Sequence, residues 1–185
     1  MAQRELATLM ASADDTRSEA LMWYVRAASN QDAEAAYQAV EIYRAPIHPE
    51  QRDWAKARQY YLQAAQAGHG YAALALGRMI KNGEGGPADA ETGVMWFRRA
   101  AERGNAQAKF LLANAYASGE GVAKDMDKYY QLLEESAEQH FPPAMHELAL
   151  LAEQRSVTHG AHAESASHLF KEAEEERRNR WQQIR

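Results

Sequence analysis

Any chemistry performed by this 185-residue chain would have to come from a short roster of side chains. His146-Glu147 opens like the zinc-protease pattern His-Glu-x-x-His, where two histidines one helical turn apart hold the metal and the glutamate deprotonates its water. The fifth position is Leu150, so the second ligand is missing and the pair reads as ordinary helix surface. His159, His162 and His168 crowd together in THGAHAESASH, and His159-x-x-His162 has the spacing of a metal site on a turn. His162 and His168 are six apart, off a common helical face, and no carboxylate or further histidine stands at ligand spacing. That stretch reads as a polar loop. Asp125 and Asp127 lack the central Gly and the closing Glu of a calcium loop. Gly83-Glu84-Gly85 and Gly119-Glu120-Gly121 follow helical rather than strand patterns, and neither runs on to Gly-Lys-Ser/Thr, so they are not phosphate cradles. Ser118 precedes Gly119 without a Gly two positions before it, which rules out a nucleophile elbow. The chain has no cysteine, hence no thiolate nucleophile, thiolate metal site or disulfide. The expectation is no catalytic residue, no metal ligand and no cofactor.

The elements that carry these residues are helices. Alanine is abundant while Val, Ile and Thr are scarce, a balance that favours helix over sheet. Apolar residues at 46% and charged residues at 25% are near globular values and argue against wholesale disorder. A net charge of −5 with no Lys/Arg face argues against nucleic acid. The longest apolar runs, YAALAL and FLLANAYA, are far too short for membrane insertion. MAQRELATLMASADD lacks the basic flank and apolar core of a leader, so the expected location is cytoplasmic, or periplasmic if a leader has been trimmed.

One unit, DAETGVMWFRRAAERGNAQAKFLLANAYASGEGVAKD from Asp89 to Asp125, can be laid along the chain several times. Ala27-Ala28 recurs as Ala64-Ala65, Ala100-Ala101 and Ser136-Ala137, at steps of 37, 36 and 36. The bulky doublets Trp23-Tyr24, Tyr60-Tyr61, Trp96-Phe97 and Leu132-Leu133 keep the same register. So do Asp53, Asp89 and Asp125, placed to cap helix starts, and Gly68 and Gly104, placed to end helices in the left-handed conformation. Ala57, Tyr60, Tyr61, Ala64 and Ala65 make one apolar stripe, which assigns the aromatic doublets to the core rather than to a ligand groove. The ends depart from the pattern. Residues 3–11 read as a short leading helix, and Thr16-Arg17-Ser18-Glu19 as a capping box opening a pair that runs from about 17 to 44. RAPIHPE replaces the Gly-x-Gly loop with prolines, His140 stands where Gly68 and Gly104 stood, and Pro142-Pro143 suits a helix start. QRSVTHGAH after Glu153 reads as a loop. Leu169, Phe170, Ala173, Trp181 and Ile184 of the last segment would cover the open end of the array.

The strings WFRRAAERGNAQAKFLLANAYASGEGVAKD and YYLQAAQAGHGYAALALGRMIKNGEG resemble Sel1-like repeats, relatives of the tetratricopeptide repeat, most densely over 53–125. The resemblance implies an all-α fold, a right-handed superhelix of about four Sel1-like helix pairs with a C-terminal capping helix. It would be a single domain over 1–185, with a cap helix in 1–15, four helix-turn-helix repeats in 16–154 and a capping helix in 155–185. A cysteine-stapled subgroup of the family has been described as β-lactamase-like; with no cysteine, this chain resembles that subgroup only in the repeat.

What the repeat leaves free is the candidate site. On the first helix of each pair one exposed row runs Leu21, Arg58, Val94, Tyr130; one turn later runs Val25, Leu62, Arg98, Glu134; beside them lie Met22, Gln59, Met95, Gln131. In tetratricopeptide-like stacks the first helix of each pair lines the concave surface. With that geometry, Leu21, Met22, Val25, Leu62, Val94, Met95 and Tyr130 form an apolar partner-binding strip, with Arg58, Arg98 and Arg99 among them. The competing reading is that neighbouring repeats or the C-terminal helix bury this strip. The expected function is a non-enzymatic scaffold or adaptor, bacterial by resemblance, taking a partner protein or peptide in a concave groove as a monomer or weak homodimer. The alternative is an immunity-type inhibitor that neutralises a secreted toxin by tight binding. A hydrolase is the remote third.

Overall fold

The computed structural model describes residues 2–11, 17–30, 32–44 and 53–159. Every regular element among them is an α-helix: α1 (Ala2–Ala11), α2 (Arg17–Ser29), α3 (Ala33–Arg44), α4 (Trp54–Gln66), α5 (Gly70–Asn82), α6 (Ala90–Glu102), α7 (Ala106–Ser118), α8 (Met126–Glu138) and α9 (Pro142–His159). They fall in two compact units, divided between Asn105 and Ala106.

The punctuation read from the sequence is what starts and stops these helices. Asp53, Asp89 and Asp125 each precede a helix and accept the backbone N–H three residues on, from Lys56 at 2.9 Å, Thr92 at 3.0 Å and Lys128 at 3.0 Å. These bonds satisfy amides that have no partner inside the helix. They also hold the three carboxyls below the usual carboxylate range; for Asp89 the Thr92 hydroxyl is the largest cause, for Asp53 and Asp125 the capped amide. At the other ends Gly68 and Gly104 take φ of 93° and 80°. His140, in the same slot, is forced to φ 55°, a conformation that crowds a Cβ and that glycine adopts without cost.

Within the first unit α1 packs most extensively on α2, α3 on α4 and α5 on α6; within the second, α7 packs on α8 and more lightly α8 on α9. The α5–α6 contact is closest at Gly77 and Gly93. A Cβ on either would come within 2.9 Å of the other's carbonyl oxygen, so the two backbones touch only because both side chains are missing. Phe97 closes over Gly77 from the next turn. The core repeats this arrangement. Tyr24, Tyr61, Phe97 and Leu133 are each at most 3% exposed, flanked by Ala20, Ala57 and Gly93 and by Ala27, Ala64 and Ala100. Where the fourth copy has Ser136, its hydroxyl donates to the Ala106 carbonyl at 2.7 Å, satisfying a fully buried polar atom.

Two expectations need correction. The first helix of each closely packed pair is α1, α3, α5 or α7, so α2, α4, α6 and α8, which carry the expected strip, are the second members and not the first. The sequence unit drawn from Asp89 to Asp125 spans α6 and α7, one helix out of phase. And α9 does not give way to a loop after Glu153 but continues to His159. No Gly or Pro interrupts it before Gly160, and Gln154 and Arg155 are good helix formers. Thr16, the RAPIHPE loop beyond Arg44, and the expected end-covering residues Leu169, Phe170, Ala173, Trp181 and Ile184 lie outside the described residues.

Candidate interaction surface

Residues singled out for chemistry have structural occupations. Glu147 accepts the Tyr129 hydroxyl at 2.7 Å. Burial, and then the nearby Glu147 carboxylate, push the Tyr129 phenol well above its usual range. His146 is exposed beside it. Asp125 is a cap, as its register implies. Among the described residues no group of three or more His, Cys, Asp or Glu is placed to hold a metal. His162 and His168 lie outside the described residues. No described helix is long and apolar enough to cross a membrane.

The predicted strip divides by its angle around each helix. At about 100° per residue, the row Leu21, Arg58, Val94, Tyr130 lies only about 80° from the core direction. Val94 is accordingly 2% exposed, so its expected exposure is wrong. Leu21 and Val25 are half-buried and pack against the cluster of Ala7, Ala20 and Tyr24. Tyr130 is half-buried, its ring 4.9 Å from Tyr129. Arg58 turns inward toward Gly86, with a buried Nη1 that has no hydrogen-bond partner. The row directly opposite the core is the open one. Met22 is 65% exposed and Met95 38%, with Gln59 and Gln131 exposed in the same register. Leu62 at 37% and exposed Arg98 flank this row.

Sequence reading missed one feature of this face. The Arg99 guanidinium lies 4.6 Å from the centroid of the Trp96 ring, and Arg26 lies 5.6 Å from that of Trp23. Tryptophan followed three residues later by arginine, in the first and third of the aromatic doublets, was the available signal. In the copy between them Tyr60 stacks on Tyr43 and Gln63 bonds inward to the Ala28 carbonyl. Both arginines are exposed.

Helix pairs at a constant step, with a shared core register and no other regular element described, define an α-helical repeat protein of the solenoid class. The Sel1 repeat family model matches residues 2–32, 50–69, 70–105 and 106–141, more than half the chain. The chain belongs to the Sel1 repeat family. The last two matches take α5 with α6 and α7 with α8, the pairing seen in the packing. Members of this family are generally protein-interaction scaffolds and generally non-catalytic.

Among solved structures the chain is similar to a Sel1 repeat protein from Oxalobacter formigenes, at 25% identity and TM-score 0.72, over 93% of this chain and 69% of that one. It is also similar to a protective antigen of uropathogenic Escherichia coli strains with an SLR fold, at 23% identity and TM-score 0.79. That match covers 94% of this chain but 38% of the antigen. Helicobacter pylori cysteine rich protein B follows at 18% identity and TM-score 0.54, over 69% of this chain and 90% of that one. The last two likenesses concern the fold alone. A comparison with curated protein sequences returns no match.

Proposed function

We propose that this protein is a non-catalytic scaffold that binds a partner protein or peptide on the outer face of α2, α4 and α6. The observation that carries this is the exposed row of Met22 and Met95 with Leu62 beside it, apolar side chains held at one register on helices whose cores are otherwise closed. Methionine adapts to the shape of what it meets, which suits a binding face better than a core. Leu21, Val25 and Arg58 lie at the edge of that face, while Val94 belongs to the core; Tyr130 is on α8, in the second unit. A concave groove was expected because these helices were read as first members; the pairing removes that reason, and the partner surface is assigned from exposure instead.

The test is affinity capture from an extract of the native host with the wild type and a Met22→Glu/Met95→Glu variant of equal helicity. The scaffold reading expects one protein lost selectively from the variant. An unchanged set of captured proteins would remove this face from consideration.

A further inference from the structure

The charges on this face point to a chemistry for the partner. Arg26 and Arg99 stand at the same register, 73 residues apart, on α2 and α6. Each guanidinium rests over the tryptophan three residues before it, and neither makes an ion pair among the described residues. A guanidinium stacked on an aromatic ring loses rotamer freedom before any partner arrives, while the edge of its donor fork stays open. Such an edge fits a carboxylate with two parallel hydrogen bonds. On α4 between them the corresponding Gln63 is turned inward and Leu62 is exposed. The face therefore reads cation, apolar residue, cation, with Met22 and Met95 one turn before each arginine.

Resting on the scaffold reading above, we infer that the partner is an acidic amphipathic protein segment. Its carboxylates sit on Arg26 and Arg99, and its apolar side chains lie on Met22, Leu62 and Met95. Electrostatic complementarity of this kind selects partners and steers encounter, while the methionines and leucine contribute the buried apolar area. At the end of α6 Arg98, Arg99 and Arg103 outnumber the one carboxylate there, Glu102, while Glu19 and Glu91 sit in the first turns of α2 and α6.

The experiment uses the full chain and three fluorescein-labelled synthetic helical peptides, with leucine at helical spacing and glutamate, lysine or glutamine at the polar positions. Binding is read by fluorescence anisotropy at low and high salt. The glutamate peptide is expected to bind, weakening as salt rises, and the lysine peptide to show no saturable binding. Arg26→Gln/Arg99→Gln should weaken the glutamate peptide about tenfold or more, with Arg26→Lys/Arg99→Lys restoring only part because lysine has no planar fork. Arg78→Gln/Lys124→Gln removes the same charge from exposed positions elsewhere and should leave affinity unchanged. Equal binding of the lysine peptide, indifference to the arginine changes, or no binding by any peptide would each overturn the inference. The scaffold reading would survive all three, because the capture experiment with the methionine variant judges it separately.

Discussion

Helices α6 and α8 each run thirteen residues behind a capping aspartate, 36 positions apart in the chain. Their inner faces do the same work with different side chains. Phe97 and Leu133 fill the same slot, and Ala100 and Ser136 are equally buried, the serine with its hydroxyl bonded. Their outer faces diverge. Met95, Arg98 and Arg99 on α6 stand where α8 has Gln131, Glu134 and Glu135, so an apolar and cationic face becomes a polar and acidic one. Glu135 is engaged by Lys109 at 2.8 Å, which holds its carboxyl below the usual range, whereas Arg99 lies on a tryptophan and makes no ion pair among the described residues. The repeat therefore constrains caps, small residues and core volume, and leaves the outer row open to differ. The α6 version of that row carries the binding chemistry we propose.

If the inner faces are equivalent, truncating either should be costly. Phe97→Ala should destabilise by about 3–5 kcal/mol and Leu133→Ala by about 2–5 kcal/mol, read by urea denaturation. A cost near zero for either would mean that its slot is not closed. Gly77→Ala should follow with about 1–3 kcal/mol, because the new Cβ meets the Phe97 ring and the Gly93 carbonyl. The equivalent residue on α7 is Ala113, which already carries that methyl, so the α5–α6 contact is the tighter of the two.

The helix ends sharpen the comparison further. His140→Gly should stabilise by about 1 kcal/mol by relieving a left-handed residue that α6's end meets with Gly104. No gain would show that the histidine side chain contributes as much as its backbone costs. The caps give the smallest effect and one with a pH signature. Asp89 and Asp125 titrate below the ordinary 3.8 when folded, so their stabilisation is full above that value and is lost as pH falls through the folded value. Asp89→Ala and Asp125→Ala should each lower the Tm at neutral pH, with the difference from wild type shrinking in acid. A difference that persists at pH 2 would point to a cause other than the charged cap.

Much of this architecture was legible because glycine, aspartate and alanine at a fixed step leave the backbone few choices. Asp53, Asp89 and Asp125 could be placed as caps, and Gly68 and Gly104 as left-handed ends, from type and spacing alone. The phase of the pairs was not legible, since a periodic sequence looks the same whichever helix is counted first; only packing, with Gly77 against Gly93, distinguishes the close pair from the looser one. The interaction face was half legible. Met22 and Met95 follow from a helical wheel, and the same wheel would have placed Val94 at the core margin. Arg26 was missed because its role comes from the Trp23 ring beneath it rather than from its own register.

The most direct measurement transfers α8's outer residues onto α6, as Met95→Gln/Arg98→Glu/Arg99→Glu, and compares helicity and partner capture with the wild type. The account predicts circular dichroism like that of the wild type and selective loss of the captured partner. Unchanged capture by a folded variant would contradict it, and would place the function of this protein on another surface.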